Sequence, residues 1–212
     1  MTRFSFAVAA LVALLAVPAA HAQFKGLTGT QTFNVADKGG RNQAIFHSKA
    51  PLEDITGTST GVGGTVTFDV ANVAKTIKAD ITVDVASIKT GIDLRDEHLR
   101  SEGWLNAAKH PKLMFALKSV KGAKMKGDNT MEMTAVGTMT INGIEQPSEL
   151  QVSLRLMPES DATKKRAPGD LLVVRAKGKV QLTKFGVNQP AVVGSKMNDM
   201  VDIEFNAVAS NK

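Results

Sequence analysis

Cysteine and tyrosine are absent from this 212-residue chain, and tryptophan occurs once. Without cysteine there is no disulfide framework, no thiolate zinc site, no iron–sulfur cluster and no cysteine nucleophile. The scarcity of aromatics, 5% of residues, excludes the Tyr/Trp girdles that band a membrane-spanning β-barrel. It also removes the aromatic–basic interleaving of a single-strand nucleic-acid binder, although the formal charge is +6. The lysines are scattered along the chain, so the positive surplus reads as a solvated surface and no nucleic-acid partner is expected. What is present, 43% apolar and 22% charged residues, is ordinary for a globular chain long enough to bury its own core.

The N-terminus carries a processing pattern. Arg3 precedes an apolar run from Phe4 to Val17, broken only by Ser5, and Pro18-Ala19-Ala20-His21-Ala22 ends in the small-x-small pattern of signal-peptidase cleavage. The run is about 14 residues, shorter than the roughly 20 of a membrane span. Residues 1–22 therefore read as a cleaved signal peptide and residues 23–212 as one exported domain starting at Gln23. No cysteine follows the cleavage site to carry a lipid anchor, so a soluble periplasmic protein without stable membrane insertion is expected. The mature part retains 25 basic and 20 acidic residues.

Period two dominates the rest. Ile77, Ala79, Ile81, Val83 and Val85 alternate with polar residues between Thr76 and Val85, and Met131, Met133, Ala135, Gly137, Met139 and Ile141 do so in the next clear segment. The same holds for Leu150–Leu156, Leu172–Leu182 and Val201–Ala207, with further strands expected at Thr30–Val35, Asn42–Lys49, Thr65–Val70 and Lys112–Val120. Each strand thus has one apolar and one wet face, as antiparallel sheets do. Asn142-Gly143 between two such patterns predicts a type I′ hairpin. Gly122–Asn129 and Pro158–Asp170, the latter holding Lys164-Lys165-Arg166, read as exposed loops. Ile92–Ala108 lacks alternation and reads as one or two short helices, closed by Pro111.

About eight or nine one-sided strands can bury their apolar faces as a sandwich or by closing into a barrel. Several are long for a sandwich, which favours an all-β fold: a single, tall, soluble antiparallel β-barrel of about eight strands. Methionines and small residues, including Ala176 and Gly178, share its inner face. Small residues leave volume and methionine fills irregular space adaptably. The pattern fits an apolar cavity and a loosely packed plain core equally well.

The motif-bearing segment runs Ser87-Ile88-Lys89-Thr90-Gly91-Ile92-Asp93-Leu94-Arg95-Asp96-Glu97-His98-Leu99-Arg100-Ser101, followed by Trp104-Leu105-Asn106 and His110-Pro111-Lys112-Leu113-Met114-Phe115. It resembles the YceI family of exported bacterial proteins, whose pattern is close to S-I-x-T-G-x-x-x-R-D-x-H-L-x-S, an aromatic pair, then Y-P-x-x-x-F. The resemblance continues through Gly137-Thr138-Met139-Thr140-Ile141-Asn142-Gly143, Pro147 and Lys184-Phe185-Gly186-Val187, and with Thr32-Phe33-Asn34-Val35 it covers essentially the whole mature chain. Departures are Phe46-His47-Ser48-Lys49-Ala50-Pro51, which lacks the family's second histidine, His110 in place of the usual tyrosine, and Trp104-Leu105 in place of the aromatic pair.

The resemblance implies a lipocalin-like barrel whose apolar tunnel carries a polyisoprenoid, either an isoprenoid quinone or a polyprenyl phosphate, with no further cofactor. The candidate tunnel lining is Phe46, Phe68, Ile81, Val83, Trp104, Phe115, Met131, Met133, Met139, Leu154, Val174 and Phe205. Arg95, His98 and Arg100, near the helical break, are candidates for a phosphate or quinone oxygen at the mouth, although Arg95 and Asp96 also suit structural hydrogen bonds fixing the strand-to-helix turn. Two other readings stand beside the carrier. One is a small-molecule enzyme using Asp96 and His98, with Glu97, His47 and His110 as further acid–base groups; G-x-S-x-G, S-x-x-K and His-Glu-x-x-His are all absent. The other is an envelope stress or adaptor protein that binds other proteins through loops such as Lys164–Arg166. No catalysis and no bound metal are expected, and a barrel edge left open would allow a homodimer.

Overall fold

A computed structural model describes residues 24–37, 39–187 and 197–212; the segment read as a signal peptide lies outside the described residues. The strands are β1 (Thr30–Val35), β2 (Gln43–Lys49), β3 (Asp54–Ser59), β4 (Val62–Asp69), β5 (Lys78–Asp84), β6 (Lys112–Met125), β7 (Thr130–Ile141), β8 (Ile144–Met157), β9 (Leu171–Gln181) and β10 (Met200–Ser210). Short helices α1 (Val73–Thr76), α2 (Asp93–Arg100) and α3 (Asp161–Lys164) occupy connections. Strands β1, β4, β5, β6, β7, β8, β9 and β10 pair in that order, all antiparallel, and β10 returns to β1 through Asn34 and Ser210. The eight-stranded antiparallel barrel expected from the alternation is the fold. The hairpin β2–β3 is an addition to it, laid along Asp202–Asn206 of β10.

Closure at the β1–β10 seam needs polar side chains. Asn42 is fully buried, and its amide donates to the Val208 carbonyl (3.0 Å) and accepts from the Val208 amide (2.9 Å), completing the edge of β10 between β2 and β1. Arg166 donates to the same Asn42 oxygen (2.8 Å) and to Asp37 (2.9 Å). Asp37 also accepts from the Arg41 side chain and amide. These donors, the Arg41 side chain first, hold its carboxyl well below the usual range against the opposing effect of burial. Arg166 is therefore part of the seam rather than of a free basic loop, and Lys164 pairs with Glu159.

The structure departs from expectation along β6 and at β3. β6 continues to Met125 instead of yielding to a loop at Gly122, because register shifts between Leu117 and Ser119 and between Lys121 and Lys124 insert extra residues into the strand. Gly122, at φ +61°, takes the left-handed position of the second bulge. β3 shows little alternation because Gly57 and Ser59 hold its inward positions. At Gly57 a Cβ would lie 2.1 Å from the Phe46 ring, so the glycine admits that ring. Asn142 and Gly143 adopt φ +50° and +73°, the predicted type I′ turn.

The barrel is solid at one end and capped at the other. Phe24, Phe33 and Phe68 pack at the β6–β7 end with ring centroids 5.6 and 5.5 Å apart. At the opposite end α2 and the segment 182–187 bury Leu99, Leu105, Leu182 and Phe185 against the core. No helix among the described residues is long and apolar enough to cross a membrane.

Because Asn42 satisfies one strand residue twice, Asn42→Ala should leave part-buried backbone groups of Val208 unpaired. The expected loss is about 1–3 kcal/mol, read as a lower urea midpoint with an unchanged slope.

Candidate functional site

Inward side chains of the strands surround a cavity of about 180 Å³. Its wall is apolar apart from Thr58, Ser59, Lys177 and Glu204. Lys177 and Glu204 pair with each other at 2.9 Å across β9 and β10. Thr58 exchanges backbone hydrogen bonds with Lys89, both 2.8 Å, and Ser59 bonds the Ser87 hydroxyl at 2.6 Å. The polar groups at the rim of β3 are thus engaged, and the interior offers an apolar chain only hydrocarbon contact.

Among the expected lining residues, Phe46, Ile81, Val83, Phe115, Met133, Met139, Leu154, Val174 and Phe205 do face the cavity. Phe68, Met131 and Trp104 do not. Phe68 is stacked on Phe33 and tilted against Phe24, filling the solid end, and Met131 is fully enclosed at the same level. Trp104 lies beyond α2 and packs, partly buried, on the outside of the core. Ala79, Leu150, Val152, Ala176 and Ile203 also line the wall; their alternation marks them as inward-facing, and only the pairing register shows that they surround a void. Gly57 and Ser59 carry no such signal.

The small residues do not all contribute space. A Cβ at Gly137 would meet the Phe115 ring at 2.7 Å, and one at Gly178 would meet Leu150 at 2.4 Å. Those glycines are filled by neighbours, while Ala135 and Ala176 face the cavity.

The polar candidates share α2 but not the cavity wall. Arg95 donates through Nε to the Thr90 hydroxyl (2.9 Å), and to the Thr90 carbonyl (3.2 Å) and Glu53 (3.3 Å). It ties α2 to the β2–β3 turn. Asp96 is buried and accepts from the Thr90 amide (2.8 Å) and hydroxyl (2.6 Å), with Lys89 at 3.6 Å. Burial pushes its carboxyl up, but the Thr90 bonds with the charges of Lys89 and Arg100 outweigh that and hold it below its ordinary range. His98 is exposed and Arg100 half-buried. Asp96 and His98 therefore face different surroundings and form no acid–base pair. His47 bonds Thr56 on β3 and His110 covers Gly143. Among the described residues no three His, Asp or Glu side chains gather as a metal site.

The depressed Asp96 pKa stabilises the fold fully above about pH 4–5, the unfolded carboxylate range, and the contribution is lost as pH falls toward the folded value. Asp96→Asn should lower stability at pH 7 and flatten the decline below about pH 4, measured by urea melts across that range.

Comparison with known proteins bears on this geometry. The family model for the YceI-like domain matches residues 34–209. Protein YceI of Escherichia coli O6:H1 is 33% identical over 145 residues, covering 68% of this chain and 70% of that protein. BcnA of Burkholderia cenocepacia superposes with a TM-score of 0.62 at 20% identity, covering 80% of this chain and 97% of that one. A domain from Saccharophagus degradans, described as polyisoprenoid-binding and implicated in plant cell wall breakdown, gives 0.59 at 12% identity over 87% of this chain and 99% of that one. Motif, barrel and family match agree, and the chain belongs to the YceI-like family.

Proposed function

We propose that this protein is an exported, periplasmic, non-enzymatic carrier that holds the apolar tail of a polyisoprenoid lipid, an isoprenoid quinone or a polyprenyl phosphate, inside its barrel. The observation that carries the reading is the interior cavity with its almost wholly hydrocarbon wall. The description of the Saccharophagus neighbour as a polyisoprenoid-binding domain supports the same ligand class.

Each buried methylene contributes about 0.8 kcal/mol, so a tail of repeated isoprene units needs no polar contact to bind. A cavity of 180 Å³ is smaller than the roughly 300–1,000 Å³ of most ligand sites, so it takes the leading part of such a tail. Met133 and Met139 in the wall can change shape around it, as unbranched thioethers do. Arg95 is committed to Thr90 and Glu53, which leaves His98 and Arg100 on α2 as the groups available to a head group.

Native mass spectrometry of protein purified from the periplasm, followed by solvent extraction, tests the reading. A stoichiometric isoprenoid adduct is expected. Protein that emerges without lipid, and that takes up neither ubiquinone nor polyprenyl phosphate in vitro, would overturn it.

A further inference from the structure

The cavity ends at a level that can be followed on β4, β7, β8 and β9. Going toward the β6–β7 end, the last lining residue is Val66 on β4, Met133 on β7, Leu154 on β8 and Val174 on β9. One inward position further on, the residue is Phe68, Met131, Leu156 or Leu172, each at most 1% exposed and none of them lining. Phe33, paired in register with Val66, stacks on Phe68, and Phe24 closes the layer from the N-terminal segment. That segment is held in place by the Lys25 amide on Asn129 (2.9 Å) and by the Lys25–Asp128 ion pair (2.8 Å). On β4, β7, β8 and β9 the hollow part of the barrel therefore meets a floor of large side chains.

We propose that this floor, centred on Phe68 with Phe33 and Phe24 behind it, determines the length of apolar chain the barrel accepts. The proposal rests on the carrier reading and assigns it a specificity determinant. The physical basis is simple. A methylene that enters the cavity leaves water for hydrocarbon, whereas one added after the chain has met the floor stays outside the cavity or forces packed side chains apart. Affinity therefore rises with chain length until the cavity is full and then stops rising. Phenyl rings suit a fixed stop, because their two side-chain torsions leave them far less adaptable than the methionines in the wall above. Truncating Phe68 should extend the cavity downward, since packed surroundings collapse only partly around deleted atoms.

The test is a series of linear primary alkanols of increasing length, titrated calorimetrically into the wild-type protein and into Phe68→Ala. In the wild type, affinity is expected to tighten about fourfold for each added methylene, the factor equivalent to ~0.8 kcal/mol per buried CH₂, and then to level off at a definite length. In Phe68→Ala the rise should continue for at least two further carbons, with the affinities of the shorter alkanols within about twofold of wild type. Met131→Ala opens the same layer from β7 and carries the same expectation, so it serves if Phe68→Ala does not fold by circular dichroism. A levelling length unchanged in a folded floor variant overturns the floor as determinant and leaves the carrier reading standing. Failure of every alkanol to bind both wild type and variant overturns both.

Discussion

Closure of β10 is the constraint on which the rest of this barrel depends. A strand of that length at the end of a sheet would expose a row of unpaired amides and carbonyls, an aggregation template outside and an unsatisfied edge inside. Here its free edge is divided among three partners in succession. β2 takes Asp202–Asn206, the Asn42 side chain takes Val208, and β1 takes Ser210. The middle assignment is the unusual one. A side-chain amide has the donor and acceptor of a peptide group, so Asn42 completes the ladder where no strand residue reaches. Arg166 and Asp37 then hold that amide in register from outside. An eight-stranded ring closed in this way has an interior wide enough to be filled by side chains or to hold one small ligand.

Which of these outcomes prevails varies along the barrel axis, and side-chain size decides it. Near the β6–β7 end, three phenylalanines, Met131, Leu156 and Leu172 reach across and pack. Above them, alanines at 44, 79, 135 and 176 withdraw the wall, which the rings of Phe46, Phe115 and Phe205 share. Glycine does not enlarge the space in the same way. Phe115 folds over Gly137, Leu150 over Gly178 and Phe46 over Gly57, so each glycine is a seat for a large neighbour.

The fold was legible from sequence because half-buried strands write their orientation directly into residue order, and the Asn142-Gly143 turn announces itself by its backbone demands. What stayed hidden was set by distant parts of the chain. Gly57 and Ser59 give β3 little strand signal, since what justifies them lies elsewhere in the chain: the Phe46 ring over Gly57 and the Ser87 hydroxyl bonded to Ser59. The bulges that carry β6 to Met125 depend on its register with β7. The cavity lining was legible wherever a residue pointed inward at the right height. Phe68 and Met131 point inward too, and only their level along the axis, a property of strand stagger, separates floor from wall.

The residues that carry the family resemblance most strongly turn out to be framework. Thr90, Arg95 and Asp96 form a closed set in which a buried carboxylate is matched by an amide and a hydroxyl, and that hydroxyl accepts from the guanidinium. Removing a partner from such a set leaves a buried charge or donor unmatched, a penalty that confines these positions to a few residue types. The cavity wall obeys a looser rule, because hydrocarbon of roughly the right volume can be exchanged at modest cost. The Thr90–Asp96 part of the motif therefore marks where α2 is fastened to the barrel and to the β2–β3 turn. On the carrier reading proposed above, ligand preference rests instead on the side chains of the wall: which inward positions are alanine, which are methionine, and where the floor begins.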